Sequence, residues 1–249
     1  RGWLFAGHSC EVKRPGDYIV FDVDTDSIIV MRGDDGAIHA VHNTCRHRGM
    51  KLCEAPSGHV ARIVCPYHQW SYSRHGALLT CGGMDADGDL DRRDFALRGV
   101  HAREVGGLVF VCLADDPMPF DGAAQALGAL LAPQGLDRAR VAATRRYAVR
   151  ANWKLVWENN RECWHCEAGH PQYVRANYDT APTDDPALAR EIAAQARATS
   201  ARLGAHGLAI DHERAGMVPF PRPGEWWSIN RTPLRSEEHT SELQSLAYL

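Results

Sequence analysis

Four side chains in the first third of the sequence have the types and spacing to hold a redox centre. They are Cys45 and His47 of Cys45-Arg46-His47, and Cys65 and His68 of Cys65-Pro66-Tyr67-His68. Two thiolates on one iron and two neutral imidazoles on the other are what a Rieske-type 2Fe-2S cluster needs, the His nitrogens raising its potential above that of an all-Cys cluster. Gly49, Pro66, Tyr67 and Trp70 flank the ligands and are expected to shield the cluster and so tune its potential. A zinc site of two Cys and two His uses the same residue types, but it usually separates paired ligands by two residues or more, whereas Cys45 and His47 have one between them. Chance placement of core Cys and loop His would have to produce four ligands in two matched pairs.

A second group lies downstream, where Asn152-Trp153-Lys154-Leu155-Val156-Trp157-Glu158-Asn159 leads into Glu162-Cys163-Trp164-His165-Cys166-Glu167-Ala168-Gly169-His170-Pro171. On a helix Glu158, Glu162 and His165 share one face, a polar face that needs a partner if buried. His165 and His170 project about 140° apart on a regular helix. Gly169 and Pro171 are expected to end the helix and let His170 swing back toward His165. Two His brought together fit a non-haem Fe(II) site of two His and one carboxylate, with positions open for oxygen and substrate. Neighbouring His are often plain surface residues, so the pair takes its weight from the Cys/His motif upstream. Glu162 and Glu167 are candidates to orient the two imidazoles by hydrogen bonding, with a solvent-exposed helix position as the alternative for Glu167. Cys163 and Cys166 have the C-x-x-C spacing of a thioredoxin-like pair, but without its βαβ context. Cys10, Cys53, Cys81 and Cys112 have no ligand-like neighbours and are assigned to core packing.

The elements that must position these groups change character along the chain. From Tyr18 to about Leu113 the pattern is strand and turn: an Ile/Val-rich stretch from Tyr18 to Met31, a turn at Asp34-Asp35-Gly36, and a strand from Ala37 to His42. Further β segments are Val60 to Cys65, Trp70 to Thr80 folding back at Arg74-His75-Gly76, and Val100 to Leu113 folding at Gly106-Gly107. Both ligand pairs fall at hairpin tips. After Pro117 and Pro119 come a helical stretch from Gly122 to Leu131, an alternating strand from Val141 to Arg150, a helix opened by Asn152, an Ala-rich helix from Pro186 to Leu203 and a short strand from Trp226 to Asn230. The natural boundary lies at 117/118.

Bulk properties narrow the classes. The 249 residues are 45% apolar and carry a net charge of -3, with 28 Lys and Arg against 31 Asp and Glu. That balance fills a sizeable core and offers no basic excess for nucleic acid. No apolar run approaches the roughly 20 residues of a membrane-spanning helix, so no membrane role is expected. Eight Cys interleaved with His indicate metal rather than disulfides, hence a reducing, cytoplasmic compartment. The sequence opens at Arg1 without Met and is expected to continue a longer chain. Residues 235–245 match an in-frame translation of a common sequencing-library adapter, so 235–249 are set aside as a foreign tail.

Thr44-Cys45-Arg46-His47-Arg48-Gly49 and Cys65-Pro66-Tyr67-His68-Gln69-Trp70-Ser71-Tyr72 resemble the two signature loops of the large (alpha) subunits of Rieske non-haem iron oxygenases. The segment from Glu162 to Pro171 resembles that family's iron-binding helix, and Gln69 departs from the loop pattern where many members have Gly. The resemblance runs from Gly2 to Leu234. It implies an α+β protein with an all-β Rieske domain over 1–117, then the beginning of a helix-grip (START-like) catalytic domain over 118–234. It implies a 2Fe-2S cluster on Cys45, His47, Cys65 and His68, and a mononuclear Fe(II) on His165 and His170. Glu162 stands where many ring-hydroxylating members have the Asp that links a neighbouring subunit's cluster to the iron, and Glu167 is a second candidate for this relay. The family draws electrons from NAD(P)H through a flavin or ferredoxin reductase, activates O2 and works as a homotrimer.

The third, carboxylate ligand comes in this family from a helix far beyond the second His. None of Asp179, Asp184, Asp185, Asp211 and Glu213 has its context, so this stretch alone is expected to be inactive. The wording from Glu158 to Cys166, with Trp226-Trp227-Ser228-Ile229-Asn230-Arg231 downstream, is most similar to the subgroup that oxidatively demethylates quaternary ammonium compounds such as glycine betaine or stachydrine. Trp226 and Trp227 can hold such a cation by cation-π attraction, although adjacent Trp are also common in cores. Aromatic-ring dihydroxylation is the alternative within the family. Outside it, a Rieske electron-transfer protein needs only the β domain, and a zinc-binding module would be colourless.

Overall fold

A computed structural model describes residues 2–84, 90–145, 147–161, 165–176, 178, 185–207 and 226–227. Two compact units divide at Ala143 and Thr144.

The first unit is built on a seven-stranded antiparallel sheet of order β1-β10-β9-β4-β3-β2-β5, formed by β1 (Leu4–His8), β2 (Asp17–Val23), β3 (Asp26–Arg32), β4 (Ile38–His42), β5 (Ser57–His59), β9 (Gly99–Val105) and β10 (Leu108–Cys112). A smaller sheet of β6 (Ile63–Val64), β7 (Ser71–Tyr72) and β8 (Leu78–Thr80) packs beside it. Strand β3 shows why both are needed. Successive side chains point to opposite faces, and Ile28 and Val30 join one core with Val109 and Val111, while Ile29 and Met31 join a second with Tyr72, Trp70, Cys45 and Cys65. With both faces covered, Ile28 to Met31 is a continuous apolar run rather than an alternating one. The second core is the floor on which the ligand loops stand.

Three features differ from the sequence expectations. The stretch from Tyr18 to Met31 is two strands, paired from Tyr18↔Met31 to Val23↔Asp26. Its turn contains no Gly; Asp24 takes the left-handed conformation (φ 51°), which short polar side chains tolerate better than most. Strand β1, outside the expected β region, pairs with β10. Val141 to Arg150 forms no strand among the described residues, and Val141, Tyr147 and Val149 are exposed. Alternation assigns faces but supplies no neighbouring strand for the backbone groups.

The hairpin at Gly106-Gly107 does form, both glycines having positive φ between Val105 and Leu108. Gly106 has a second reason to lack a side chain, since a Cβ there would stand 2.9 Å from Leu131. Leu131 closes α1 (Asp121–Leu131), which buries Ala123, Leu127 and Leu131. Trp3 donates its indole N–H to the Met118 carbonyl (2.8 Å) and packs on Phe120. These contacts carry the first compact unit past 117/118, where the pattern turns from strand to helix, to Ala143.

In the second unit Asn152 opens α2 (Trp153–Arg161), its side-chain oxygen accepting the Lys154 N–H (3.0 Å). There follow α3 (Cys166–Gly169), α4 (Pro171–Ala176) and α5 (Pro186–Ala205). Asp185 caps α5 through the N–H groups of Ala187 and Leu188. No helix among the described residues is long and apolar enough to cross a membrane. Of the expected strand from Trp226 to Asn230 only Trp226 and Trp227 are described, both half-buried; Glu162, Asp179, Asp184, Asp211, Glu213 and 235–249 lie outside the described residues.

Candidate metal centres

The two ligand loops are built alike. Residues 45–50 are closed by the bridge Thr44↔Lys51, and residues 65–70 by the pair Val64↔Ser71. In the first loop the Cys45 N–H donates to the Met50 carbonyl (2.8 Å) and the Gly49 N–H to the Cys45 carbonyl (3.0 Å); in the second the Cys65 N–H donates to Trp70 (2.8 Å) and the Gln69 N–H to Cys65 (3.0 Å). The fifth residue of each loop is left-handed, Gly49 at φ 76° and Gln69 at φ 60°. This is the physical content of the Gly-to-Gln departure: the loop keeps a backbone suited to glycine while carrying a side chain.

Both thiols are buried, Cys45 and Cys65 at 3% and 1% exposure. His47 and His68 are half-buried at the loop tips, their rings edge to face with centroids 4.6 Å apart. Trp70 is buried and stacks flat on His47 at 4.9 Å, as a shielding role requires. Tyr67 lies 3.8 Å over His68 but is 61% exposed, and Gly49 and Pro66 are exposed, so these three do not seal the centre from water. They sit on the outer side of the tips, whereas Trp70 faces the core.

Partial burial, then His68 and Arg48, hold the His47 imidazole below its usual pKa and so favour its neutral, ligating form. Its buried Nδ1 has no hydrogen-bond partner. A buried lone pair without a donor beside two buried thiols fits an iron-sulfur cluster, in which the metal takes the place of that donor.

Two supporting residues were not assigned roles from the sequence. The Tyr72 hydroxyl accepts the Arg46 N–H (3.1 Å) and lies 3.3 Å from Cys45 Sγ. A thiolate can only accept, so Tyr72 donates to it. Burial first, and Cys45 second, push the Tyr72 phenol well above its ordinary pKa, which keeps that proton in place. Asn43, fully buried, accepts the N–H groups of Leu52 (3.1 Å) and Cys53 (2.8 Å) and donates to Ser27 Oγ and the Cys53 carbonyl. An Asn directly after a strand and two residues before a ligand was the available signal. Cys53, Cys81 and Cys112 are core residues as expected, and Cys10 is only half-buried.

In the second unit α3 ends at Gly169, whose N–H donates to the His165 carbonyl (2.8 Å). His170 leaves helical geometry (φ −135°, ψ 57°) and Pro171 starts the next helix. The break brings the His165 and His170 rings edge to face with centroids 5.4 Å apart. His165 is half-buried and His170 exposed; Glu167 on α3 and Glu158 on α2 are exposed. Two imidazoles converging at a helix break fit a shared metal ion.

Residues 2–88 match the Rieske [2Fe-2S] domain, and residues 136–243 match the catalytic domain of the ring-hydroxylating alpha subunit. The chain therefore combines a Rieske [2Fe-2S] domain with a ring-hydroxylating alpha-subunit catalytic domain, which indicate a 2Fe-2S cluster and a mononuclear iron. It is 44% identical over 93% of its length to the oxygenase subunit of glycine betaine monooxygenase from Chromohalobacter salexigens, and 35% identical over 86% to that from Pseudomonas aeruginosa. It spans about half the length of each of these curated relatives. Among solved structures it is similar to the quaternary ammonium Rieske monooxygenase CntA bound to gamma-butyrobetaine (30% identity, TM-score 0.62, covering 69% of this chain and 50% of that one). It is also similar to naphthalene 1,2-dioxygenase from Rhodococcus sp. bound to indole (31%, TM-score 0.58, covering 74% and 43%).

Proposed function

We propose that the chain serves in an oxygenase component that oxidatively demethylates a quaternary ammonium compound of the glycine betaine class. The observation that carries this reading is the pair of matched ligand loops, with buried Cys45 and Cys65 under half-buried His47 and His68, in a chain 44% identical to a glycine betaine monooxygenase subunit. Cys45, His47, Cys65 and His68 would hold the 2Fe-2S cluster, and His165 and His170 the Fe(II). Bound together, these groups supply one-electron transfer and oxygen activation. The chain's own residues do the rest: Tyr72 stabilises negative charge on the Cys45 sulfur, Asn43 fixes the base of the first loop, and Trp70 keeps water from one face of His47. The least covered part of the centre is the pair of imidazole edges, the natural side for electron exchange with a partner.

Glu162 and Glu167 are the proposed relay carboxylates, for their sequence position beside the His pair. We further infer an NAD(P)H-dependent reductase as electron source, a homotrimer as the working assembly and the cytoplasm as the compartment. The domain boundary we assign functionally is 117/118, with 235–249 apart from the fold.

The test supplies the iron-loaded full-length protein with a reductase, O2 and either glycine betaine or an aromatic hydrocarbon. Stoichiometric formaldehyde from glycine betaine is expected. Formation of a cis-diol without formaldehyde would favour ring hydroxylation, the second reading, which rests on the similarity to naphthalene dioxygenase.

A further inference from the structure

Asp35, His39 and His75 lie outside both centres, and each offers a metal-ligating atom within 4.8 Å of the other two. We propose that they form an additional divalent-cation site of the zinc class, joining the β3–β4 turn and the start of β4 to the turn between β7 and β8. Two imidazoles and one carboxylate are a common ligand set for borderline metals such as Zn2+, with water completing the tetrahedron.

Three observations point to a built site. The His39 and His75 rings meet edge to face with centroids 4.2 Å apart, and Asp35 Oδ2 stands 2.9 Å from His39 Nε2. Ligand atoms around a tetrahedral zinc lie about 3.3 Å apart, given bonds of about 2.0–2.1 Å. Small rotations of surface side chains therefore bring all three to a shared ion. Secondly, the two turns are clamped without any metal. Arg74 pairs with Asp34, Asp35 Oδ1 accepts the Ala37 N–H (3.0 Å), and the Ser73 hydroxyl accepts the His75 and Ala77 N–H groups. Thirdly, Gly33 sits beneath the group; a Cβ there would lie 2.6 Å from Asp35 Oδ1, 2.6 Å from His39 Cδ2 and 2.8 Å from His75 Cε1. Only glycine lets the three side chains converge.

The alternative is an ordinary Asp-His hydrogen bond with His75 leaning on it. Beyond occupying the site, a bound ion would tie the larger sheet to the sheet that carries the Cys65–Trp70 loop, at the opposite end of β7 from that loop.

The test counts Zn2+ bound per chain, by calorimetry with elemental analysis, in cluster-loaded protein and in its His75→Ala and Asp35→Asn variants. The visible absorbance of the cluster serves as control for folding and cluster retention, and both substituted residues are exposed. Because the other ligand groups are common to all three proteins, only the difference is read. We expect each variant to lose one equivalent, or to bind it roughly tenfold or more weakly, with cluster absorbance unchanged. A wild-type count and affinity in either variant would overturn the proposal.

Discussion

Replacing Gln69 by glycine should stabilise the protein. Gln69 holds φ 60° in the position that Gly49 occupies in the matching loop. A left-handed backbone costs an L-residue about 1–2 kcal/mol, a strain that glycine does not feel. Against this, the extra freedom of glycine in the unfolded chain costs about 0.4–1 kcal/mol. The net gain for Gln69→Gly is about 0.5–1 kcal/mol, or about 1–4 °C in melting temperature for a unit of this size. The reciprocal change, Gly49→Ala, places a Cβ with nothing within 4 Å, so only backbone strain acts and a loss of similar size is expected. The assay is thermal unfolding of the cluster-loaded protein, followed by far-ultraviolet circular dichroism and cluster absorbance together. Equal or lower stability of Gln69→Gly, with Gly49→Ala unharmed, would refute the equivalence of the two loops.

Tyr72→Phe removes a hydrogen bond to the Cys45 sulfur that is strongest when the cluster is reduced. A loss of about 1 kcal/mol should lower the potential by on the order of 40 mV, measurable by spectroelectrochemistry. Asn43→Ala strands the Cys53 N–H and carbonyl in a buried setting and leaves the Leu52 N–H only its longer bond to the residue-43 carbonyl (3.4 Å), and about 2–4 kcal/mol should be lost in denaturant titration. His165→Ala or His170→Ala should abolish retention of the mononuclear iron while the reduced cluster keeps its paramagnetic resonance signal; unchanged iron content would dismiss the pair as ligands. In the full-length protein Glu162→Gln or Glu167→Gln should leave both metals bound and slow turnover roughly 10–100-fold, so coupled turnover at the normal rate in both variants would exclude both as the relay.

What the sequence determined by itself is mostly local. Cys45, His47, Cys65 and His68 could be picked out because ligand type and spacing are covalent facts, and Gly169 and Pro171 announced the break beside His165 because their backbone limits act within a residue or two. The turns at Gly106-Gly107 and Arg74-His75-Gly76 were readable for the same reason. Tertiary structure decided what depends on distant neighbours. The split of Tyr18 to Met31 turns on one left-handed Asp24 and on pairing with β4 and β5. The strand expected over 141–150 has no neighbour among the described residues. Tyr72 stands 27 residues from Cys45 in the chain, and no periodicity announces their hydrogen bond. Asp35, His39 and His75 meet only because two turns from different sheets are clamped together over Gly33, a convergence that the chain specifies through packing rather than through spacing.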